Sequence, residues 1–471
     1  MHPLSHFGIP AMHRLLISAA HKSSGKTTLS IGLCRALRDR GQTVQPFKKG
    51  PDYIDPMWLG LAAGRPCYNL DFYTQEREEI LASLNRHAGH ADLALIEGNK
   101  GLYDGLDLEG SNSNAALARL TRTPVVLVIN VQGMTRGIAP LVLGYQAFEP
   151  EVRIAGIILN QIRGSRHEAK LRAVLEHYTE VPVVGAVYHD PAMTIHERHL
   201  GLVPSNESGD ARAFVAHIGE RIAAQVDLEA IRNIAGSAPP LPSSQFAGPE
   251  PAARRDVRIA IARDAAFGFY YPDDLEALEA AGAELLPFSP LTDSRLPDCD
   301  GLFLGGGFPE THMEQLAANR AMRTAIRQAI EADLPAYAEC GGLMYLARSL
   351  RWKGREAEMT GTLPASVVMH ERPVGRGYVQ LEETADHPWP GAPNQRIFPA
   401  HEFHYSALDS LPEETRYAYR VHRGMGVDGN HDGIVYRNLL AGYAHLRDTS
   451  HNHWAGRFVA FVRSCRNRKR V

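Results

Sequence analysis

Cysteine is scarce in this sequence, and no two cysteines form a short paired motif. The five cysteines are odd in number and widely spaced: Cys34, Cys67, Cys299, Cys340 and Cys465. The absence of a Cys-x-x-Cys pair excludes the usual zinc sites and redox couples, and this usage is typical of a reducing compartment. We therefore expect a cytoplasmic protein.

Long hydrophobic runs are also missing. No stretch reaches the roughly 18 apolar residues that a membrane-spanning helix requires. The apolar residues 15–20 are too few for a secretory signal, and they run directly into a loop that contains glycine and lysine. We expect no membrane partner.

The sequence carries no excess of charge of either sign. Lys and Arg number 50 against 53 Asp and Glu, and the formal net charge is −3. This balance provides no general basic field for nucleic acid or an anionic bilayer. Only eight of the basic residues are lysines, and five of these lie in the first hundred residues: Lys22, Lys26, Lys48, Lys49 and Lys100. Their concentration predicts a local anion site.

The length of 471 residues favours at least two domains. In the first half, short β-branched runs alternate with helix-length amphipathic segments, which is typical of a parallel sheet covered by helices. The predicted strands are 13–20, 91–98, 123–131, 153–162 and 181–188. We predict an α/β domain over 13–235.

Residues 236–256 contain five prolines and several small residues, so they are predicted to form a linker. The alternation of strands and helices then resumes in a second α/β domain over 257–471. There we predict a strand at 257–264, a helix near 272–281, a strand at 301–307, one long helix over 310–333 and a strand at 334–340. Short strands follow, and a helix near 453–466 ends the chain.

A phosphate loop follows the first predicted strand. Gly25, Lys26 and Thr27 match the end of the Gly-Lys-Ser/Thr motif at the start of a helix, although Ala20 replaces the usual first glycine. Backbone N–H groups here can surround phosphate oxygens, Lys26 can reach the β and γ phosphates, and Thr27 can ligate Mg²⁺. We predict that Ser24, Gly25, Lys26, Thr27 and Thr28 bind ATP. The alternative is a polar turn that caps a helix.

Acidic residues in two segments are candidates to complete a metal and nucleotide site. Asp52 and Asp55 lie in the segment 48–56, and Glu97 ends a predicted buried strand. Ligands collect at the carboxyl ends of parallel strands, where such carboxylates can hold Mg²⁺. Each acid can equally serve as a helix cap or turn residue. Asn160, at another strand end, is a candidate for reading a base edge or for a turn.

Cys340 lies between a predicted strand and a helix that opens with Gly341 and Gly342. This order resembles a nucleophile elbow, in which the N–H group of the next residue faces a developing oxyanion. A second donor is expected from the glycines 305–307, and the helix N-terminus favours a thiolate. The activating base remains open among five histidines: His401, His404, His445, His451 and His453. The alternative for Cys340 is a small buried apolar residue.

The two halves together resemble the cobyrinate a,c-diamide synthase family, glutamine-dependent amidoligases of corrinoid biosynthesis. The likeness begins near residue 12, and its most specific segments are QPFKKGPDYIDP, NLD, GLYDG, LFLGGGFPE, AECGG, HEFHYS and GYAHL. The resemblance implies a P-loop NTPase-like first domain similar to dethiobiotin synthetase. It implies a class I glutamine amidotransferase second domain with a cysteine and a histidine but without the usual third acidic residue.

The resemblance also implies roles for individual residues. Cys340 becomes the glutaminase nucleophile and His445 its base, while Arg447 replaces a second histidine that the family often has. The implied oxyanion donors are Gly306, Gly307 and Gly341. The implied Mg²⁺ ligands are Thr27, Asp52 and Glu97, and Asn160 is implied to contact the adenine.

Substrate contacts are expected near Asn99 and Lys100, because family members commonly read EGVMGLYDG where this sequence has EGNKGLYDG. The full set of candidate substrate residues is Tyr53, Asp55, Asn99, Lys100, Tyr103 and Asp104.

The implied activity is ATP- and Mg²⁺-dependent amidation of the a- and c-side-chain carboxylates of cobyrinate, with glutamine as nitrogen donor. A homodimer is compatible with it. One alternative keeps this chemistry on hydrogenobyrinate, sirohaem or nickel-sirohydrochlorin. Another is a partitioning-type ATPase switch, but its additional loop lysine would stand at position 21, which is His21.

Overall fold

The computed structural model describes residues 12–195, 197–198, 201–246, 252, 254–409 and 411–469. Contacts divide the chain into two compact units, one formed by residues 1–72 and 76–247 and the other by residues 73–75 and 248–471. The division falls within the predicted linker 236–256, of which residues 247–251 and 253 lie outside the described residues.

The first unit consists of alternating strands and helices. Its strands are β1 (Arg14–Ala19), β2 (Val44–Lys49), β3 (Tyr68–Leu70), β4 (Leu93–Glu97), β5 (Val125–Asn130), β6 (Ile154–Ile162), β7 (Val183–Tyr188), β8 (Glu197–Arg198) and β9 (Gly201–Leu202). Its helices are α1 (Lys26–Asp39), α2 (Ile54–Ala63), α3 (Arg77–Ala88), α4 (Asn114–Thr121), α5 (Ile138–Phe148), α6 (Ser165–Tyr178), α7 (Ala211–Ala223) and α8 (Leu228–Gly236).

Seven of these strands form one parallel sheet in the order β3-β2-β4-β1-β5-β6-β7. Both faces of the sheet are covered, since Leu15 and Ile17 of β1 pack in one hydrophobic cluster and Leu16 packs in another. All five strands predicted for this half are confirmed. The carboxyl ends of β1, β2 and β4 meet at one edge, which places the phosphate loop beside Lys48 and Glu97.

The second unit is built around a larger sheet. Its strands are β10 (Val257–Ala262), β11 (Phe267–Phe269), β12 (Ala283–Phe288), β13 (Gly301–Leu304), β14 (Gly306–Gly307), β15 (Ala336–Glu339), β16 (Ser349–Trp352), β17 (Arg355–Glu358), β18 (Ser366–Met369), β19 (Gly375–Glu383), β20 (Ile397–His404), β21 (Ser406–Asp409), β22 (Arg416–Arg423), β23 (His431–Tyr436) and β24 (Leu439–Gly442). Its helices are α9 (Pro272–Ala280), α10 (Met313–Ala318), α11 (Arg320–Glu331), α12 (Gly341–Leu346) and α13 (Trp454–Lys469).

Nine strands form the main sheet in the order β12-β10-β13-β15-β24-β23-β22-β19-β20. The part from β12 to β24 is parallel, and the remaining strands are antiparallel. Strand β15 pairs with β24 so that Glu339 lies opposite Gly442. This register places the residues that follow the two strands, Cys340 and Tyr443, at the same edge of the sheet. Within the described ranges, no helix has both the length and the apolar character needed to cross a membrane.

The prediction of one long helix over 310–333 is wrong. A 3₁₀ turn at Pro309–His312 and two helices, α10 and α11, occupy this segment. The break occurs at Asn319, whose side chain accepts a hydrogen bond from the Met322 N–H at 3.3 Å and so caps α11. Its amide nitrogen also donates to the Pro290 and Asp293 carbonyl groups, each at 2.8 Å. Helical periodicity alone does not reveal such a cap.

We predict that Asn319→Ala lowers the melting midpoint measured by calorimetry. Loss of an N-cap costs about 1 kcal/mol, which corresponds to roughly 2–4 °C for a unit of this size. Asn319→Asp retains the cap acceptor but turns a carboxylate oxygen toward the Pro290 and Asp293 carbonyl groups, so it should not restore the parent midpoint. Equal midpoints for the parent protein and the Ala variant would show that this cap does not stabilise the unit.

Candidate functional site

The phosphate loop connects β1 to α1 at the edge of the first sheet. Gly25 adopts a φ of 88° immediately before Lys26 begins the helix. A Cβ atom on Gly25 would lie 2.2 Å from the Asn160 amide nitrogen. That nitrogen donates to the Ser24 carbonyl at 2.8 Å, so Asn160 holds the loop from strand β6, which lies two strands away from β1. Thr28 lies in the first turn of α1.

A buried polar cluster lies beside this loop. The Thr27 hydroxyl donates to Glu97 Oε1 at 2.7 Å and lies 3.2 Å from Asp55 Oδ2. The Lys48 ammonium donates to the same two carboxylates, at 2.5 Å to Asp55 and 2.8 Å to Glu97. Lys48 is 3% exposed and Glu97 is fully buried. The structure therefore brings one cation and two anions together at the point where Lys26 and Thr27 start the helix.

Burial and charge act against each other in this cluster. Burial lowers the pKa of Lys48, but Asp55 and Glu97 outweigh it and hold that pKa well above the ordinary value. Burial raises the pKa of Glu97, although the Lys48 charge opposes the shift. Burial also lowers the pKa of Lys26 to about 8, with Glu97 opposing and Lys48 reinforcing the shift. A bound phosphate would place negative charge beside Lys26 and would raise the pKa of Lys26 again.

Asp52 and Asp55 are three residues apart but make different contacts. Asp52 Oδ1 accepts from the N–H groups of Ile54 at 2.9 Å and Asp55 at 3.1 Å, at the start of α2. Burial and the Asp55 charge raise the pKa of Asp52 to about 7. Asp55, a candidate substrate residue by sequence, is the aspartate whose carboxylate contacts Thr27 and Lys48.

The cluster has the oxygen donors that Mg²⁺ requires. Glu97 Oε2 is buried and has no hydrogen-bond partner among the described residues, and it lies on the same carboxylate that Thr27 and Lys48 contact. The described part of the chain contains no group of three or more histidine, cysteine or acidic side chains arranged as a metal site. The resemblance implies Asp52 as a ligand, but Asp52 Oδ1 accepts from the first two N–H groups of α2, and the aspartate that contacts Thr27 is Asp55. We therefore expect that Thr27, Asp55 and Glu97, rather than Asp52, would hold a magnesium ion here. These residues fit the ion.

The other candidate substrate residues lie on segments that follow β2 and β4. Asn99 Oδ1 accepts from the Lys49 ammonium at 3.0 Å, and Lys100 is exposed with a φ of 35°. Asp104 Oδ2 accepts from the Gly101 N–H at 2.8 Å, and the Tyr103 hydroxyl donates to the Tyr145 carbonyl at 2.5 Å. Tyr53 immediately precedes α2.

An apolar cavity of about 370 Å³ adjoins the phosphate loop. The Tyr145 hydroxyl, on its wall, donates to the carbonyl of Ala20 at the end of β1. The lining residues are Tyr103, Pro140, Leu141, Gly144, Tyr145 and Phe148. This cavity could accept an apolar molecular face beside the loop.

In the second unit, Cys340 sits on a sharp turn between β15 and α12. Its φ of 47° and ψ of −103° are unusual for a residue other than glycine. The Cys340 N–H donates to the Gly442 carbonyl of the neighbouring strand at 2.8 Å, and 6% of the residue is exposed. The strain and position are those expected of a nucleophile elbow.

His445 is the histidine that the structure places beside Cys340. Burial lowers the pKa of His445, but hydrogen bonds to Cys340 and Glu339 outweigh it and raise that pKa to about 10. His445 Nδ1 lies 3.4 Å from Glu339 Oε2. The raised pKa favours the imidazolium form of His445 beside Cys340.

Glycines at positions 306 and 341 leave the space that Cys340 and His445 occupy. A Cβ atom on Gly306 would lie 2.6 Å from His445 Cε1, so the imidazole fits only over a glycine. A Cβ atom on Gly341 would lie 2.8 Å from the Gly307 backbone nitrogen. The three predicted oxyanion residues, Gly306, Gly307 and Gly341, are thus brought together next to Cys340.

The remaining histidine candidates have other contacts. His401 pairs with His445 through the backbone, His404 stacks on Tyr443 with ring centroids 3.8 Å apart, and His453 Nδ1 lies 3.1 Å from Asp448. His451 is buried.

Arg447, at the position of the family's second histidine, is anchored away from the cysteine. It donates to Asp273 Oδ2 at 2.8 Å and lies over the Tyr271 ring at 4.8 Å. Its contacts are structural.

Comparisons with known proteins identify the family of the chain and of its two domains. Residues 16–203 match the family model of the CobQ/CobB/MinD/ParA nucleotide binding domain, and residues 258–453 match that of the CobB/CobQ-like glutamine amidotransferase domain. A cobyrinate a,c-diamide synthase of Magnetococcus marinus is 47% identical over 96% of this chain and 97% of its own length. The chain belongs to the cobyrinate a,c-diamide synthase family. This confirms the predicted family and the mixed α/β fold with its P-loop NTPase-like and amidotransferase domains.

Two archaeal members of the cobyrinate a,c-diamide synthase family extend the comparison. The Methanosarcina acetivorans protein is 42% identical over 95% of this chain and 94% of its own length. The Archaeoglobus fulgidus protein is 41% identical over 95% of this chain and 96% of its own length. The predicted enzyme class, a carbon–nitrogen ligase with a glutamine amidotransferase domain, is confirmed.

The specific roles of two residues in these sites were not predicted from the sequence. Lys48, expected only as part of a local anion site, lies near the end of β2 between two carboxylates, and the pair of lysines in front of Gly50 was the available signal. Glu339 immediately precedes Cys340, but its contact with His445 depends on the pairing of β15 with β24. No local pattern in the sequence indicates that pairing.

We predict that Gly306→Ala lowers glutamine hydrolysis about 100-fold, since an added methyl group displaces His445 and misplacement near 1 Å has effects of this size. Activity with added ammonia should stay close to that of the parent. Gly456→Ala is the matched control, because its Cβ atom would contact nothing within 4 Å. Normal glutaminase activity in Gly306→Ala would contradict the placement of the imidazole.

We predict that Lys48→Met lowers the melting midpoint in metal-free buffer, because two buried carboxylates lose their cation. Breaking such a pair costs about 3–5 kcal/mol. Added Mg²⁺ should restore part of the midpoint in the variant and have a smaller effect on the parent. Lys353→Met is the control, since this lysine lies over the ring of the neighbouring Trp352, outside the phosphate-loop cluster. Equal calorimetric midpoints of the parent and Lys48→Met proteins without metal would contradict the prediction.

Proposed function

We propose that this chain amidates the a- and c-side-chain carboxylates of cobyrinate in cobalamin biosynthesis, with ATP as energy source and glutamine as nitrogen donor. The observation that carries the proposal is the strained Cys340 paired with His445, in a chain whose relatives are named cobyrinate a,c-diamide synthase. A partitioning-type switch has no use for such a cysteine, so the pair favours the amidotransferase over that alternative.

The second unit releases ammonia from glutamine. The Cys340 thiolate attacks the side-chain amide carbon, and the backbone N–H groups of Gly307 and Gly341 are the proposed donors to the oxyanion. The His445 imidazolium gives its proton to the leaving nitrogen, so that ammonia departs and a glutamyl thioester remains. His445 then takes a proton from water, which hydrolyses the thioester to glutamate and restores the thiol pair.

The first unit activates the acceptor carboxylate. The phosphate loop and Lys26 hold the triphosphate, and Lys48 adds positive charge beside it as the γ-phosphoryl group moves to a carboxylate oxygen. ADP leaves, and an acyl phosphate is formed. Ammonia attacks its carbonyl carbon, phosphate departs, and the amide remains. Mg²⁺, held by Thr27, Asp55 and Glu97, would neutralise phosphate charge.

The apolar cavity beside the loop supports a tetrapyrrole as acceptor. Tyr103 and Tyr145 contribute to its apolar lining, and Lys100 is an exposed cation three residues before Tyr103 that is available to a peripheral carboxylate. The same features would serve hydrogenobyrinate, sirohaem or nickel-sirohydrochlorin, which remain the alternative acceptors. The near-neutral charge balance favours no nucleic-acid or membrane partner, and a cytoplasmic location and a homodimer are compatible with the proposal.

The deciding experiment incubates the purified chain with ATP, Mg²⁺ and glutamine and with each tetrapyrrole in turn, and measures product mass. We expect cobyrinate to gain two amides. Amidation of sirohaem but not of cobyrinate would overturn the proposed substrate.

A Cys340→Ala variant tests the division of labour between the units. It should lose amidation driven by glutamine but keep amidation driven by added ammonia, because the first unit remains intact. Glutamine hydrolysis that persists in this variant would overturn the assignment of the nucleophile. Cys465→Ala, which changes a buried cysteine of α13, is the matched control.

A further inference from the structure

Glu339 occupies a position that links both members of the cysteine–histidine pair. It is the last residue of β15 and the residue immediately before Cys340. Its Oε2 lies 3.4 Å from His445 Nδ1, and the residue is 4% exposed. Its Oε1 accepts from the Tyr337 hydroxyl at 2.5 Å and from the Leu446 N–H at 2.9 Å. The carboxylate is therefore held by Tyr337 of its own strand and by Leu446, the residue after His445.

We propose that Glu339 is the positioning residue that orients His445 for glutamine hydrolysis. It completes a cysteine–histidine–glutamate arrangement in a site where sequence resemblance implied only a cysteine and a histidine. The proposal rests on the glutaminase activity of the proposed function, and it assigns to Glu339 no contact with glutamine.

The geometry defines what the carboxylate does. Glu339 Oε2 lies 3.4 Å from His445 Nδ1, and a Cβ atom on Gly306 would lie 3.5 Å from the other ring nitrogen, Nε2. The carboxylate thus faces one ring nitrogen and leaves the other available to exchange a proton with Cys340. The negative charge of Glu339 also stabilises the imidazolium that forms when the thiolate forms.

The hydrogen bonds that hold Glu339 indicate an electrostatic role for its carboxylate in addition to packing. Tyr337 and Leu446 supply neutral donors to one oxygen, and the other oxygen faces the imidazole. Two further titratable groups face His445. They are Cys340, and His401 on β20, whose pKa burial and His445 lower to about 3. His401 is therefore neutral in the working range, and Glu339 supplies the negative charge on the Nδ1 side.

The test compares Glu339→Gln, Glu339→Asp and the parent, each assayed for glutaminase activity and for amidation with added ammonia. Glu339→Gln keeps the shape but loses the charge, so we expect kcat for glutamine hydrolysis to fall about 10- to 100-fold with ammonia-driven activity unchanged. Glu339→Asp should recover part of the loss. Glu331→Gln, which neutralises a partly exposed carboxylate on α11, is the control.

The pH profile of glutamine hydrolysis provides the readout that a purely structural role would not move. Without the carboxylate the imidazolium is less stable, so the limb of the profile that reports His445 should move to lower pH in Glu339→Gln. The limb should stay near the parent position in Glu339→Asp.

Either of two results would overturn the proposal. One is glutaminase activity within twofold of the parent with an unmoved profile, and the other is an equal loss of glutamine- and ammonia-driven activity in Glu339→Gln. The proposed function fails by a different result, which is glutamine hydrolysis that survives Cys340→Ala.

Discussion

The turn at Cys340 is the constraint on which the second unit depends. A non-glycine residue at a φ of 47° stores strain of about 1–3 kcal/mol, and it persists only where the surroundings enforce it. Here the hydrogen bond from Cys340 to Gly442 fixes the turn from the adjacent strand. The close approach of Gly307 to Gly341 leaves no room for the turn to relax toward that side. The thiol is thus held beside His445 by backbone packing.

The first unit depends on charge rather than on strain. Lys48 places an ammonium between two carboxylates that would otherwise be buried together, which is costly when no cation is present. The same carboxylates and Thr27 supply oxygen ligands, so the cluster joins metal and phosphate recognition in one place. Asn160 contributes indirectly, because it holds the Ser24 carbonyl and with it the shape of the loop.

Much of the fold could be predicted because buried parallel strands and Gly-Lys-Thr motifs are local signals. The five strands of the first half and the turn at Cys340 are of this kind. Strand β2 was not predicted, since Gln45, Lys48 and Lys49 interrupt its apolar character. Of these, Lys48 belongs to the polar cluster beside the phosphate loop. The single helix predicted over 310–333 was wrong, because the side chain of Asn319 supplies a cap that periodicity cannot indicate. Contacts such as Glu339 with His445 join residues more than one hundred positions apart, and their distance is set by strand order.

The pairing of β15 with β24 has a consequence for how the chemistry is maintained. The nucleophile follows one of these strands directly, and the histidine follows the other after two residues, so their separation is defined by ladder hydrogen bonds near the middle of a nine-stranded sheet. A slip of one residue along that ladder would turn Glu339 to the other face of the sheet, away from His445. Release of ammonia therefore depends on the central strands of the sheet. We expect that peripheral loops can vary in length without displacing the cysteine or the histidine.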